Sequence, residues 1–356
     1  MTILFFKHMS RFGIFRKNIG IDLGTSNVLV YLDKRGIVVN EPSIVALNNK
    51  TNQVVAVGNE ARDMLGRTPS HITVARPLVN GVIADFEVTQ EILRHLLRRV
   101  SKDSIFVNYR RAVVGVPSNL TEVERKSVED AVIGAGVFQA LLIEEPLAAA
   151  LGARLPINEP TANMVVDIGG GTTEVAIISM GGIVTAKSLK IAGDKFNDDI
   201  IRFVRDEFKI AIGEPTAEEV KIAVGSVLPV EERLEIAVRG RDLTTGLPRE
   251  ILVKDPHVRA AIGKSFKVIV DAIREVIESA PPELAGDILK RGIYLCGGGS
   301  LLRGVAEYIS KDLMVMATVV DDPLTCVVRG TGVAIEHFAK YRPVLQDPSE
   351  PRTIRL

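Results

Sequence analysis

Two short stretches, Asp22-Leu23-Gly24-Thr25 and Asp167-Ile168-Gly169-Gly170-Gly171-Thr172, carry residue types suited to a polyphosphate and its cation. Phosphate oxygens need donors packed closer than side chains allow, and glycine turns with free backbone N–H groups supply them. Magnesium keeps several waters and takes one or two carboxylates besides phosphate oxygens, the role open to Asp22 and Asp167. Each stretch follows an apolar run, Ile19 to Ile21 or Met164 to Val166, and precedes a second strand, Val28 to Leu32 or Glu174 to Ser179. The chain therefore reads as internally duplicated around one phosphate site. A third turn, Gly297-Gly298-Gly299-Ser300, follows the apolar run Gly292 to Cys296. Any one of these turns alone is best read as a tight turn; three in the same strand-then-turn context point to phosphate.

Glu145, between an apolar run and Pro146, is placed to orient a water toward a γ-phosphate, because phosphoryl transfer needs positioning more than covalent help. Its neighbour Glu144 is an equal candidate, since either acid could instead simply favour the start of the helix that follows. Gly263-Lys264-Ser265 imitates the end of a P-loop. The glycine that motif needs five residues earlier is Val258, and the triplet falls within a helical pattern.

The elements that must carry these residues alternate between strand and helix. Gly36 to Val39, Ser43 to Leu47 and Gln53 to Val57 form a β-rich insertion, and Thr89 to Val100 has the apolar spacing of an amphipathic helix. Ala112 to Val116 is a strand, Thr121 with Glu124 reads as a capping box, and Leu141 to Ile143 is a strand leading to Glu144. The second half repeats the scheme: a hairpin, a strand from Ile183, a helix from Lys195 to Phe208, and an insertion ending near Pro256. A long helix then spans about Ile262 to Ser279, and Leu301-Leu302 opens another. Such alternation predicts α/β layers with the ligand at strand C-termini. The tail after Tyr341, with three prolines, is expected to fray.

The 356 residues suffice for two domains, and 46% hydrophobic with 25% charged residues is ordinary for a globular chain. Lys plus Arg (44) equals Asp plus Glu (44), which argues against nucleic acid as a partner. Cys296 and Cys326 lie in strand-like apolar context without metal-ligand spacing, fitting a reduced cytoplasmic compartment. No apolar run reaches the length of a membrane span. Residues 1–17 are a basic amphipathic segment: Phe5, Met9 and Phe12 share a helical face with Phe6 beside them, and Lys7, Arg11, Arg16 and Lys17 carry charge with no acid. This pattern fits binding to a membrane surface.

Assembled, these residues resemble the actin, sugar kinase and heat-shock chaperone ATPase superfamily, and within it the MreB family of bacterial actins, from about Asn18 to about Arg342. The resemblance rests on Ile19–Asn27 (IGIDLGTSN), Glu144–Ala150 (EEPLAAA), Val165–Thr173 (VVDIGGGTT), Ile191–Asp194 (IAGD), Gly297–Gly304 (GGGSLLRG) and Gly330–Gly332 (GTG). Gly36–Ser43 (GIVVNEPS) and Arg76–Asp85 (RPLVNGVIAD) carry the narrower likeness.

The resemblance implies a duplicated actin-like α/β fold, two domains each with a mixed sheet flanked by helices, and four subdomains around a nucleotide cleft. These would be 18–38, 90–157 and 324–345 (IA), 39–89 (IB), 158–190 and 262–323 (IIA), and 191–261 (IIB), after the 1–17 segment. It implies slow ATP hydrolysis coupled to a homopolymer of paired protofilaments on the inner face of the cytoplasmic membrane. The filament would direct cell-wall synthesis with partners such as MreC and RodZ. By position, Gly24, Thr25, Ser26, Asn27 and Gly169, Gly170, Gly171, Thr172 hold the phosphates of ATP or ADP, and Asp22 and Asp167 the Mg2+ shell. Glu145 is implied to hold the water. Gly193, Asp194, Glu218, Lys221, Gly297, Gly298, Gly299, Ser300 and Leu301 are implied to bind the rest of the nucleotide, and Ile105 with Phe106 to dip into the membrane. A chaperone of the superfamily would need a peptide-binding domain after the second connection, for which little chain follows. A sugar kinase would need a further catalytic base, and no additional Asp has that context.

Overall fold

The computed structural model describes residues 17–51, 53–100 and 109–349. Its organising feature is one sheet topology built twice. The first sheet holds β1 (Lys17–Leu23), β2 (Asn27–Leu32), β3 (Gly36–Pro42), β4 (Tyr109–Val116) and β5 (Val137–Glu144) in the order β5-β4-β1-β2-β3. The second holds β6 (Asn163–Ile168), β7 (Thr173–Ser179), β8 (Gly182–Leu189), β9 (Ile293–Cys296) and β10 (Ala317–Val319) in the order β8-β7-β6-β9-β10. In each, the central strand pairs antiparallel with the next strand and parallel with the fourth. The duplication seen in the Asp-Gly turns thus extends to both whole sheets.

Burial explains the strands. Residues of β6 are buried from end to end, as expected for a central strand covered on both faces. Edge strand β8 instead alternates between exposed and half-buried positions. Three large apolar clusters follow: one under each sheet and one between them, where Val113, Leu141, Val165, Cys296 and Ile335 meet. The middle cluster is built on α3 (Glu145–Gly152) and α7 (Cys326–Glu336), introduced after α1 (Phe86–Val100) and α2 (Glu122–Gly134); α4 (Gly193–Phe208), α5 (Glu214–Val224) and α6 (Asp255–Glu278) belong to the second half.

Each half carries an insertion. In the first, Val45–Asn48, Gln53–Val57 and Ile72–Ala75 form a small antiparallel sheet beside the hairpin Leu78–Val79 and Val82–Ile83. In the second, Ile210–Ala211, Glu235–Asp242 and Pro248–Lys254 form another, next to α5.

The capping box is present: Glu124 N–H donates to Thr121 Oγ1 (3.3 Å) and Thr121 N–H to the Glu124 carboxylate (2.7 Å). Helix α1 starts at Phe86 rather than Thr89, because Asp85 accepts from Val88 N–H (3.0 Å) and caps the extra turn. Helix α6 starts at Asp255 rather than near Ile262: Pro256 sits in the first turn, where its missing N–H costs nothing, and Asp255 pairs with Arg259 (2.9 Å). The Gly263-Lys264-Ser265 triplet lies inside it, as expected.

Three expectations are corrected. Leu301 and Leu302 do not open an α-helix; Gly298–Leu301 is a single 3-10 turn, and the helix Val305–Leu313 begins only after Gly304 turns the chain with φ +82°. Cys326 is not in a strand but is the first residue of α7, placed there by the turn that Pro323 opens. The stretch from Arg342 to Gln346 is not frayed. Leu345 is buried, and Gln346 exchanges two backbone hydrogen bonds with Leu142 (2.8 Å each), covering the outer edge of β5. Among the described residues no helix is long and apolar enough to cross a membrane.

Candidate functional site

Central strands β1 and β6 deliver their carboxylates at the C-terminal ends of the two sheets. Asp22 stands opposite Gly115 of β4, and Asp167 opposite Cys296 of β9. The glycine turns beyond them face each other across a cavity of about 940 Å³ between the two halves. On one wall, Ser43 Oγ donates to the Gly24 carbonyl (2.6 Å) and Thr25 Oγ1 accepts from Gly81 N–H (2.9 Å). On the other, the N–H groups of Gly193 and Asp194 donate to the carbonyls of Gly169 (3.1 Å) and Gly170 (2.8 Å), so α4 starts from the second loop.

The third turn locks onto the second. Gly297 has φ +76°, donates its N–H to the Pro323 carbonyl (2.9 Å), and stands where a Cβ would lie 2.3 Å from Asp167 Oδ1. Glycine alone satisfies both demands. Lys221 Nζ reaches the Gly193 carbonyl (3.0 Å) and the Glu218 carboxylate (2.7 Å), and Asn197 donates to the same Glu218 oxygen (2.7 Å). Glu218 and Lys221 therefore belong to the cavity wall rather than to a purely solvated helix face.

Asp22, Gly24 to Asn27, Glu145, Asp167, Gly169 to Thr172, Gly193, Asp194, Glu218, Lys221, Gly297 to Gly299 and Leu301 all line this cavity. Two expected residues do not. Ser300 is buried behind it, its hydroxyl bracing the Gly297 carbonyl (2.6 Å). Glu144 is the residue before α3 and accepts from Gln346 Nε2 (3.0 Å), so of the two adjacent acids it is Glu145 that lines the cleft. Phe5, Phe6, Met9, Phe12, Ile105 and Phe106 lie outside the described residues.

Acids crowd the end of the cavity where the two Asp-Gly turns meet. Burial pushes the Asp22 carboxyl up to about 7. Asp167 is raised well above the usual carboxylate range by burial and then by Asp22, and Glu145 by burial and then by Glu174, Asp22 and Asp167. Like charges in a water-poor site disfavour their ionised forms, and a bound cation inverts that balance. The donor chemistry thus fits a magnesium ion held by Asp22 and Asp167. Among the described residues no group of three or more His, Cys, Asp or Glu is arranged as a metal centre, so the remaining ligands would be phosphate and water.

Several participants escaped the sequence reading. Gly81, which donates to Thr25, sits in an Asn80-Gly81 turn with φ of 51° and 75°; the Asn-Gly dipeptide was its visible signal. Glu174 is buried on β7, accepting from Ser118 N–H (3.2 Å) and from Ser188 Oγ (2.5 Å). An acid in an apolar strand was the clue. Arg76 and Glu214 also line the cavity, joined by a partly exposed, hydrogen-bonded ion pair between the two insertions.

Two sheets of identical order, with acid and glycine turns facing across a cleft, define an actin-like protein. The crystal structure of MreB5 of Spiroplasma citri bound to AMPPNP aligns with a TM-score of 0.88 at 40% identity, covering 92% of this chain and 98% of that one. The MamK double helical filament aligns at 0.77 with 25% identity, covering 90% of this chain and 99% of that one. The chain belongs to the MreB/Mbl protein family, whose pattern matches residues 16–343. It is 47% identical to the cell shape-determining protein Mbl of Bacillus subtilis (strain 168), over 92% of this chain and 98% of that protein. It is 46% identical to the cell shape-determining protein MreB of Escherichia coli (strain K12), over 91% and 94%.

Proposed function

We propose that this chain is a cytoskeletal ATPase that binds ATP with magnesium in the cleft, hydrolyses it slowly, and polymerises into filaments on the inner face of the cytoplasmic membrane. The observation that carries the reading is the convergence of both Asp-Gly turns, the third glycine turn and Glu145 on one cavity of about 940 Å³. Pockets of roughly 300–1,000 Å³ suit small-molecule ligands. Backbone N–H groups of the two facing loops would cradle phosphates, and Asp22 and Asp167 would hold the cation, which would supply neutralisation of the phosphate charge. Glu145 would orient the attacking water. The structural neighbours support nucleotide and filament: MreB5 was solved with AMPPNP and with ADP, and MamK as a double helical filament.

The four subdomains are proposed with the boundaries given above, the two insertions forming IB (39–89) and IIB (191–261). Membrane attachment rests on the basic amphipathic start with Phe5, Phe6, Met9 and Phe12, and on Ile105 and Phe106. Direction of cell-wall synthesis, with partners such as MreC and RodZ, rests on the cell shape-determining relatives.

Electron microscopy and co-sedimentation of the purified chain with ATP and anionic vesicles test the reading. Filaments and vesicle pelleting that require ATP are expected. Brisk sugar-dependent ADP release without polymer would replace it with a kinase. Deleting residues 1–17 and changing Ile105 and Phe106 to serine should abolish vesicle pelleting and spare ATP binding.

A further inference from the structure

We infer that Arg76 and Glu214 form a clasp across the mouth of the cleft that controls how fast nucleotide leaves it. The inference rests on the nucleotide-binding reading and adds regulation of the same site. Arg76 directly follows strand Ile72–Ala75 in the first insertion, and Glu214 is the first residue of α5 in the second. They lie 138 residues apart in sequence, yet Arg76 Nη2 donates to Glu214 Oε1. Both line the cavity. Among the described residues this is the one ion pair joining 39–89 to 191–261.

Its position gives it leverage. The small sheets of the two insertions have no substantial packing against the crossing helices α3 and α7, whereas β1 and β6, whose loops touch each other at Ser26 and Gly170, pack on those helices. A rotation about the helices moves the insertions most, so a bond between them resists opening over the longest arm. Ligand release from a cleft of this kind needs the mouth to part, as domain closure holds ligands elsewhere. The pair is half-exposed, 27% for Arg76 and 38% for Glu214, so it is weak enough to break in every cycle and open to screening by salt. Arg76 also acts on Asp194, whose carboxyl burial raises and whose rise Arg76 opposes. The guanidinium therefore already faces a second acid, at the start of α4, that it can meet as the mouth shifts.

The test uses the full chain loaded with a fluorescent ADP analogue and magnesium, chased with excess unlabelled ATP in a stopped-flow instrument. Arg76→Gln and Glu214→Gln should each speed analogue release by about two- to fivefold. The double variant should release no faster than either single one, because both remove the same bond. Raising salt from 50 to 500 mM should accelerate the unmodified chain more than the variants. Unchanged release in both single variants, effects that add in the double, or equal salt sensitivity in all four proteins would overturn the clasp. A chain that retains no analogue at all would instead overturn the nucleotide-binding reading, and the clasp with it.

Discussion

Ser26 and Gly170 stand so close across the cleft that a methyl group on Gly170 would lie 1.9 Å from Ser26 Oγ. The two Asp-Gly loops, one from each half, are in contact through the one residue type that permits it. Gly170→Ala must push the loops apart, and an overpacked contact costs about 1–3 kcal/mol. Taken from binding, that is roughly five- to 150-fold weaker ATP affinity, readable by calorimetry. Wild-type affinity in the alanine variant would mean that the loops do not close this tightly around ligand.

Glu145 and Glu144 separate cleanly. Glu145→Gln should keep ATP binding while phosphate release falls by at least about a hundredfold, the low side of what a positioned carboxyl contributes. Glu144→Gln, which loses its charge but keeps an oxygen to accept from Gln346 Nε2, should hydrolyse within about twofold of wild type. A reversed order in a single-turnover phosphate assay would move the water-orienting role to Glu144.

Crowding of acids in the site predicts a pH dependence. An unfolded Asp titrates near 3.9, whereas burial puts folded Asp22 at about 7, so the native state binds the proton more tightly. Stability from the neutral carboxyl is complete below about pH 4 and is lost as pH rises through about 7. The melting temperature of nucleotide-free protein should therefore fall between pH 5 and pH 8. Asp22→Asn should flatten the fall, and identical slopes for the two proteins would refute the assignment. Magnesium with ATP should also flatten it, by giving the ionised form a partner.

Helices α3 and α7 cross backbone to backbone. A Cβ on Gly330 would lie 1.8 Å from the Ala148 carbonyl oxygen, and one on Gly152 1.9 Å from that of Cys326. Gly330→Ala should destabilise the fold by at least about 1–3 kcal/mol, since both obstructing atoms are backbone. Gly263→Ala in α6 meets nothing within 4 Å and should stabilise by about 0.5–1 kcal/mol through helix propensity. Urea denaturation of the two variants distinguishes packing from propensity; equal shifts would remove the crossing as the cause.

Much of the site was readable because its signals are local. Asp22 and Asp167 stand where an apolar strand meets glycine, and a strand that ends in a turn delivers its last side chain at the sheet's edge whatever the rest of the molecule does. Thr121 and Glu124 cap α2 by contacts three residues apart. Residues such as Glu174 and Arg76 were not readable in this way. Their roles come from Ser118, Ser188 and Glu214, brought beside them by pairing that no window of sequence contains. The same limit hid the tail, whose prolines suggest fraying until Gln346 meets Leu142 at a sheet edge.

By itself the sequence determined the repeated strand-and-turn units, the identity of the glycines and acids that line the cavity, and the family, because periodicity and turn chemistry act over a few residues. Tertiary structure alone decided that the two loops touch at Gly170 and Ser26, and that Glu145 rather than Glu144 lines the cleft. It likewise decided that Arg76 reaches Glu214. These outcomes depend on how two separately packed sheets dock through α3 and α7, and docking is set by the shared apolar core and the close crossing of glycines at distant positions in the chain.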